Sequence, residues 1–318
     1  MDAETVEPSA TPATGPAPPT DRLLDLVWRR HRRWSVAAGA ARKRLDRWRL
    51  CNLGLLVLGA LTAALAAQTW LPARVATGSA LVAAISLGFA GFLQARVLNT
   101  EQTARWTHAR AAAEALKAET FRYLLRVAPY ARADRAQVLQ AQLDVVRTRA
   151  AALLVDQQDV PVDDRPLPGV RTVAEYVTAR AQGQATWHRD RSAWHARRAR
   201  RLRAWQLVAT AVGVVLAAVT GFLPSWRLST WTAAATTIAA AFGAHLAATR
   251  HQDVAAAYAA TADQLETLVA GFDPSSATPD QQARFVADVE RVLAAQNQGW
   301  IDLLSSEPVT GEGPPPGG

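Results

Sequence analysis

The sequence predicts an all-α integral membrane protein, with four transmembrane helices in two hairpins plus long cytoplasmic amphipathic helices. Three observations carry that prediction. Two blocks, 50–95 and 204–249, hold a single charge each, Arg74 and Arg227, in a chain with 35 Lys plus Arg and 27 Asp plus Glu. Each block divides at its arginine into two uncharged stretches of 21 to 24 residues, long enough for a helix rising about 1.5 Å per residue to cross a ~30 Å hydrocarbon layer. Elsewhere apolar residues recur at steps of three and four, with few strand signals. The mean hydropathy of −0.02 and net charge of +8 are therefore averages over lipid-facing and water-facing populations.

Taken in order, residues 1–20 hold five prolines and no apolar run, and read as a disordered tail rather than a signal peptide. Residues 21–155 form a first two-transmembrane unit, with spans at about 50–71 and 75–95. Residues 156–170, with Asp163-Asp164 and three prolines, read as a linker. Residues 171–304 form a second unit with spans at about 204–224 and 228–249, and 305–318 a second tail. The turns Leu71-Pro72-Ala73-Arg74 and Leu223-Pro224-Ser225-Trp226-Arg227 are too short to hold a domain, so each span pair is a hairpin. Arginine crowds 29–49 and 189–203, which by the positive-inside rule puts both termini and the middle segment in the cytoplasm. Trp48, Trp70, Trp205, Trp226 and Trp231 fall at the interfaces, where indole rings are favoured.

The two units look like copies. At an offset of 152, Leu71-Pro72 meets Leu223-Pro224, Trp106 meets Tyr258, Glu114 meets Glu266 and Leu116 meets Leu268. After the second span Trp106, Ala109, Ala113, Leu116, Thr120 and Tyr123 fall on one helical stripe. After the fourth, Val254, Tyr258, Thr261, Leu265, Leu268 and Phe272 do the same. Leu139, Leu143, Val146, Ala150 and Leu153 keep that rhythm, and 279–304 reads as a further helix with Phe285, Val289, Val292 and Trp300 on its apolar side. Such stripes pack within one chain or between subunits of an assembly.

Several chemistries are excluded. One cysteine, Cys51, forbids an intramolecular disulfide or a cysteine-based zinc site. Only Lys43 and Lys117 are lysines, neither follows a glycine, and no phosphate-cradling loop is present; a GC-rich genome accounts for the preference for arginine. No catalytic constellation, cofactor motif or metal-ligand spacing is found, so the chain is not expected to be an enzyme. The spans lack Asp and Glu, which argues against a proton-coupled transporter. His245 lies in the fourth span and is the candidate pore residue, against a neutral histidine near the headgroups. Ala235, Ala239 and Gly243 form a small-residue ladder for close helix packing. Arg29, Arg30, Arg32, Arg33, Arg198 and Arg201 are candidate contacts for anionic lipid headgroups, a partner favoured here over nucleic acid. Trp106, Leu116, Tyr258, Leu265 and Leu268 are the candidate packing stripe.

The run Arg96…Trp106-Thr107-His108-Ala109-Arg110…Ala113-Glu114-Ala115-Leu116, repeated as Arg250…Tyr258-Ala259-Ala260-Thr261…Gln264-Leu265-Glu266, resembles the SLATT family as a tandem pair. These are two-transmembrane effector domains of bacterial conflict systems. The resemblance implies an oligomeric effector in the bacterial inner membrane that forms pores or perturbs the bilayer when a nucleotide-signalled antiphage defence fires. It also implies a nucleotide-sensing or second-messenger-synthesising partner protein, and no catalytic residues. The alternatives are a non-catalytic membrane scaffold for cytoplasmic partners and a small-solute channel.

Overall fold

The computed structural model describes residues 19–150, 165–222 and 228–305. Most of the expected tails and linker, Leu153 and the second hairpin turn lie outside the described residues. Among those described there are helices and no strands: α1 (Pro19–Ala66), α2 (Ala73–Arg96), α3 (Thr100–Leu124), α4 (Arg135–Arg149), α5 (Val173–Tyr176), α6 (Gly183–Phe222), α7 (Ser229–Thr249), α8 (His251–Ala270) and α9 (Pro279–Ser305). A π-helical turn, Val177–Gln182, joins α5 to α6, so that Val173–Phe222 runs as one helix.

Alanine, leucine and arginine favour helix throughout, and the breaks have local chemical causes. Pro72 opens α2 at φ −57°, the value its ring imposes. The Asn99 side chain accepts a hydrogen bond from the Gln102 amide at 3.1 Å and caps α3. Thr172 and Glu175 form a capping box at α5. Thr278 and Gln281 form a second one at α9, exchanging side-chain bonds of 2.8 and 3.3 Å. The sequence-level division into a basic helix followed by a span disappears in both units. α1 continues through 48 residues and α6 through 40 without interruption.

Three helices are long and apolar enough to cross a membrane: those ending at Ala66, Arg96 and Phe222. α7, the expected fourth span, is a helix of 21 residues but not among them. Nine alanines and five threonines leave it less apolar than its valine- and leucine-rich neighbours. It packs along α1 and α6, whereas the others present Ile85, Phe92, Leu207, Val214 and Phe222 outward as an exposed apolar belt. Contiguous exposure of that kind marks a surface meant for lipid or protein.

Both hairpins point the same way. At the tip of the first, the Gln68 amide donates to Thr230 Oγ1 at 2.9 Å on the opening turn of α7, beside a small cluster of Ala60, Ala64 and Ala234. Close approach within the second hairpin depends on Gly213, where an added Cβ would stand 3.5 Å from that of Ala235. Alanine fits that space and leucine does not. Gly213→Ala should leave thermal stability nearly unchanged, while Gly213→Leu should lower it by about 1–3 kcal/mol, read from unfolding in detergent.

At the other end the two units interleave. One core joins Leu24, Val27 and Trp34 of α1 and Leu116 of α3 to Val254 and Tyr258 of α8. The second joins Phe121 of α3 to Tyr176, Leu265, Phe285 and Val289 of the second unit. Each unit thus completes the other's core.

Candidate functional site

The interleaved bundle beneath the hairpins is organised by the predicted stripes. Trp106, Ala109, Ala113, Leu116, Thr120 and Tyr123 are all buried, as are Val254, Tyr258, Thr261 and Leu265, with Leu268 half-buried. Their partners are residues of the same chain.

Two charged groups are sealed between the units, with a third, Glu114, half-buried beside them. Arg180 rises from the π-helical turn and is 1% exposed, as is Glu290 on α9. The guanidinium grips that carboxylate with both prongs, Nε to Oε1 at 3.1 Å and Nη2 to Oε2 at 3.0 Å. The Tyr176 hydroxyl donates to the same Oε1 at 2.8 Å. Glu114, from α3 of the first unit, stands 3.7 Å from Arg180, and the Phe121 ring lies beneath the guanidinium. Burial works against the charge of Glu114, but Lys117, Arg180 and Arg110 outweigh it and hold the carboxyl at about 2. Burial likewise opposes the charge on Arg180, yet Glu290 overcomes it and raises its pKa. Such bidentate pairs fix orientation as well as charge.

A second cluster lies nearer the hairpins. His195 of α6 and His251 of α8 meet Nδ1 to Nδ1 at 2.8 Å, one donating and the other accepting. Burial holds His195 at about 3, reinforced by His251, Arg42, Arg191 and Arg198. Burial, with Arg198 and Arg42, holds His251 at about 4. His188, also on α6, donates from Nδ1 to the Gln184 carbonyl at 2.7 Å. On α1, His31 donates to the Ala113 carbonyl at 2.8 Å and is held at about 4, chiefly by burial. These histidines are neutral at pH 7.

Between the two clusters opens a cleft of about 570 Å³, walled by α1, α3, α6, α8 and α9. Its walls alternate indole and guanidinium. Arg42 lies 4.5 Å over Trp106, Arg110 5.5 Å over Trp187, and Arg191 5.6 Å over Trp194. Such stacking is favourable when partly desolvated.

The predicted residues distribute unevenly around this junction. Trp106 and Tyr258, matched by the internal offset, both line the cleft. Ala235 and Ala239 are buried and Gly243 half-buried, with Gly243 against Gln206 of α6, so the ladder serves contact within one hairpin. His245 is half-buried at the end of α7 that meets the bundle. Arg198 and Arg201 are exposed just before the uncharged stretch of α6. Arg29, Arg30, Arg32 and Arg33 stand 17 to 21 residues before Leu50 on an unbroken helix, about 25–30 Å from the lipid entry. Exposed Arg44 and Arg47 are far closer to it. Reading residue types missed Arg180 and Glu290. Glu290 had a signal, since it falls on the stripe of Val286, Val289 and Leu293, where a carboxylate demands a buried partner.

Two family matches cover this architecture. Residues 176–300 match the SMODS and SLOG-associating 2TM effector domain 1, abbreviated SLATT. Residues 32–137 match a protein family of unknown function. Each stretch falls within one of the two expected units, and α1–α4 and α6–α9 repeat one element order. No curated protein and no solved structure matches the chain. Residues 176–300 of this membrane protein, within its second unit, thus match the SLATT family of two-transmembrane effector domains.

Proposed function

We propose that the chain is an oligomeric effector that breaches the bacterial inner membrane, with the interleaved bundle and both termini on the cytoplasmic side. The observation that carries this reading is the contrast among the hairpin helices. Three present bare apolar faces suited to lipid, while α7, rich in alanine and threonine and bearing His245, packs along α1 and α6 and exposes only small side chains such as Ala233, Thr236, Thr237 and Ala240. A helix that is a poor lipid-facing span is well suited to line an aqueous path once hairpins rearrange or subunits gather. Arginine at the lipid entry, with Arg44, Arg47, Arg198 and Arg201 exposed, supports both the orientation and contact with anionic headgroups. The 2TM effector match supports a role in conflict systems, with a nucleotide-sensing or second-messenger-synthesising protein as the partner that sets it off.

Inducible expression with a membrane-potential dye tests the reading. Growth arrest and depolarisation are expected, and His245→Leu should reduce dye response at least several-fold at equal protein level. Harmless accumulation of the wild-type chain, or a strict monomer by native mass measurement in detergent under activating conditions, would count against it.

A further inference from the structure

We infer that the cleft between the two units is a binding site for a nucleotide, an anion that carries an aromatic ring. The charge of the wall is the first reason. Its two carboxylates are already matched, Asp46 by Arg42 at 2.9 Å and Glu114 by Arg180 at 3.7 Å. Lys43, Lys117 and Arg191 have no carboxylate within ion-pair distance among the described residues, yet all three face the cleft. Lys43 and Arg191 are exposed and Lys117 is half-buried near Glu114, and a bound phosphate would add charge-assisted hydrogen bonds to all three.

The second reason is which cations they are. Only two of the 35 basic residues in this chain are lysines, and both stand on this wall. Genomic composition explains the rarity of lysine but not its placement. An ammonium on a flexible stem is a compact point charge that follows phosphate oxygens where a planar guanidinium is too wide. Lys117 is half-buried, and burial followed by the nearby Arg180 lowers its pKa, as expected of a cation awaiting an anion.

The third reason is aromatic. Trp106, Trp187 and Trp194 supply indole faces to the same space, and bases stack on such faces with a gain of about 1–3 kcal/mol. A volume near 570 Å³ sits within the ~300–1,000 Å³ of small-molecule sites. Depth separates a soluble ligand from a lipid headgroup. Lys43 is seven residues before Leu50 and Ser35, on the same wall, fifteen, or about 10 and 22 Å down α1 from the lipid entry. The anion is therefore taken from water.

Position gives such a ligand leverage. Lys43 and Lys117 belong to the first unit, and Arg191, Trp187 and Trp194 to the second. A nucleotide held by both sets favours the arrangement that closes them together, and so biases the hairpins they carry.

Full-length protein in zwitterionic phosphatidylcholine nanodiscs tests this, with ATP, adenosine and tripolyphosphate titrated separately by calorimetry and tryptophan fluorescence. ATP should quench fluorescence and bind at least about tenfold more tightly than either fragment. Lys117→Met should weaken ATP about tenfold, and Lys117→Arg less. Trp187→Ala with Trp194→Ala should erase the preference for ATP over tripolyphosphate; an unchanged unfolding temperature shows that each variant is folded. Absence of ATP binding at millimolar concentration overturns the inference. So does equal affinity for tripolyphosphate and ATP, or loss of ATP binding when phosphatidylglycerol replaces the neutral lipid. Binding is read without any membrane breach, so it stands or falls apart from the effector reading.

Discussion

Replacing Glu290 by alanine should cost this protein about 3 kcal/mol of stability, a fall of roughly 5 °C in unfolding temperature in detergent. The substitution strands Arg180, 1% exposed, and takes the acceptor from the Tyr176 hydroxyl. Breaking a buried pair typically costs about 3–5 kcal/mol because the surviving charge stays desolvated. The lower end applies here because Glu114, 3.7 Å away, still answers part of the arginine's charge. Removing both partners should recover most of the loss. Arg180→Met with Glu290→Leu fills the space with apolar atoms and leaves no orphaned ion. A Glu290→Ala protein that unfolds at the wild-type temperature would show that the pair is not sealed from water.

Acid should be the second large lever. His31, His195 and His251 are buried and refuse a proton until about pH 4, 3 and 4. In the unfolded chain each takes one near 6.5. Between those values the unfolded state binds more protons, so stability is intact at neutral pH and is lost as pH falls from about 6.5 toward 4. At pH 5 each histidine contributes a loss of about 2 kcal/mol, on the order of 6 kcal/mol together. For the His195–His251 pair the surroundings sharpen this. Arg42 of α1 and Arg191 and Arg198 of α6 repel a charged imidazole, which Asp46 offsets in part at His251. Thermal unfolding at pH 7.5 and pH 5 measures the effect, and converting the three histidines to glutamine should flatten it. A wild-type profile that is level across that range would refute it.

The parts legible in the sequence were those encoded by local periodicity. The stripe from Trp106 to Tyr123 is buried at every position, because a helix carrying apolar groups every three or four residues has one way to hide them. Charge-free stretches announced the membrane helices for the same reason. Absence of charge alone does not separate α7 from the other hairpin helices, because alanine and threonine lack charge yet add little apolar bulk. On the uninterrupted α1 the arginines from Arg29 to Arg33 stand 17 to 21 residues before Leu50, a separation along the axis that nearness in sequence does not express. The Arg180–Glu290 pair links positions 110 apart, and no local pattern reports such a partner. The cleft is hidden for a related reason: its walls come from five helices of both units.

The chain enters and leaves each hairpin in different ways. α1 is 48 residues long, a stiff rod of about 70 Å, and α6 is built alike. The same two helices therefore wall the cleft and carry the uncharged stretches without a break between. The exits are jointed instead. α2 yields to α3 at the Asn99 cap, and α7 yields to α8 at Arg250, whose φ of 46° is a left-handed kink that an arginine adopts at a cost. Each hairpin is thus entered by a continuous helix and left through a break, at Asn99 in the first and at Arg250 in the second.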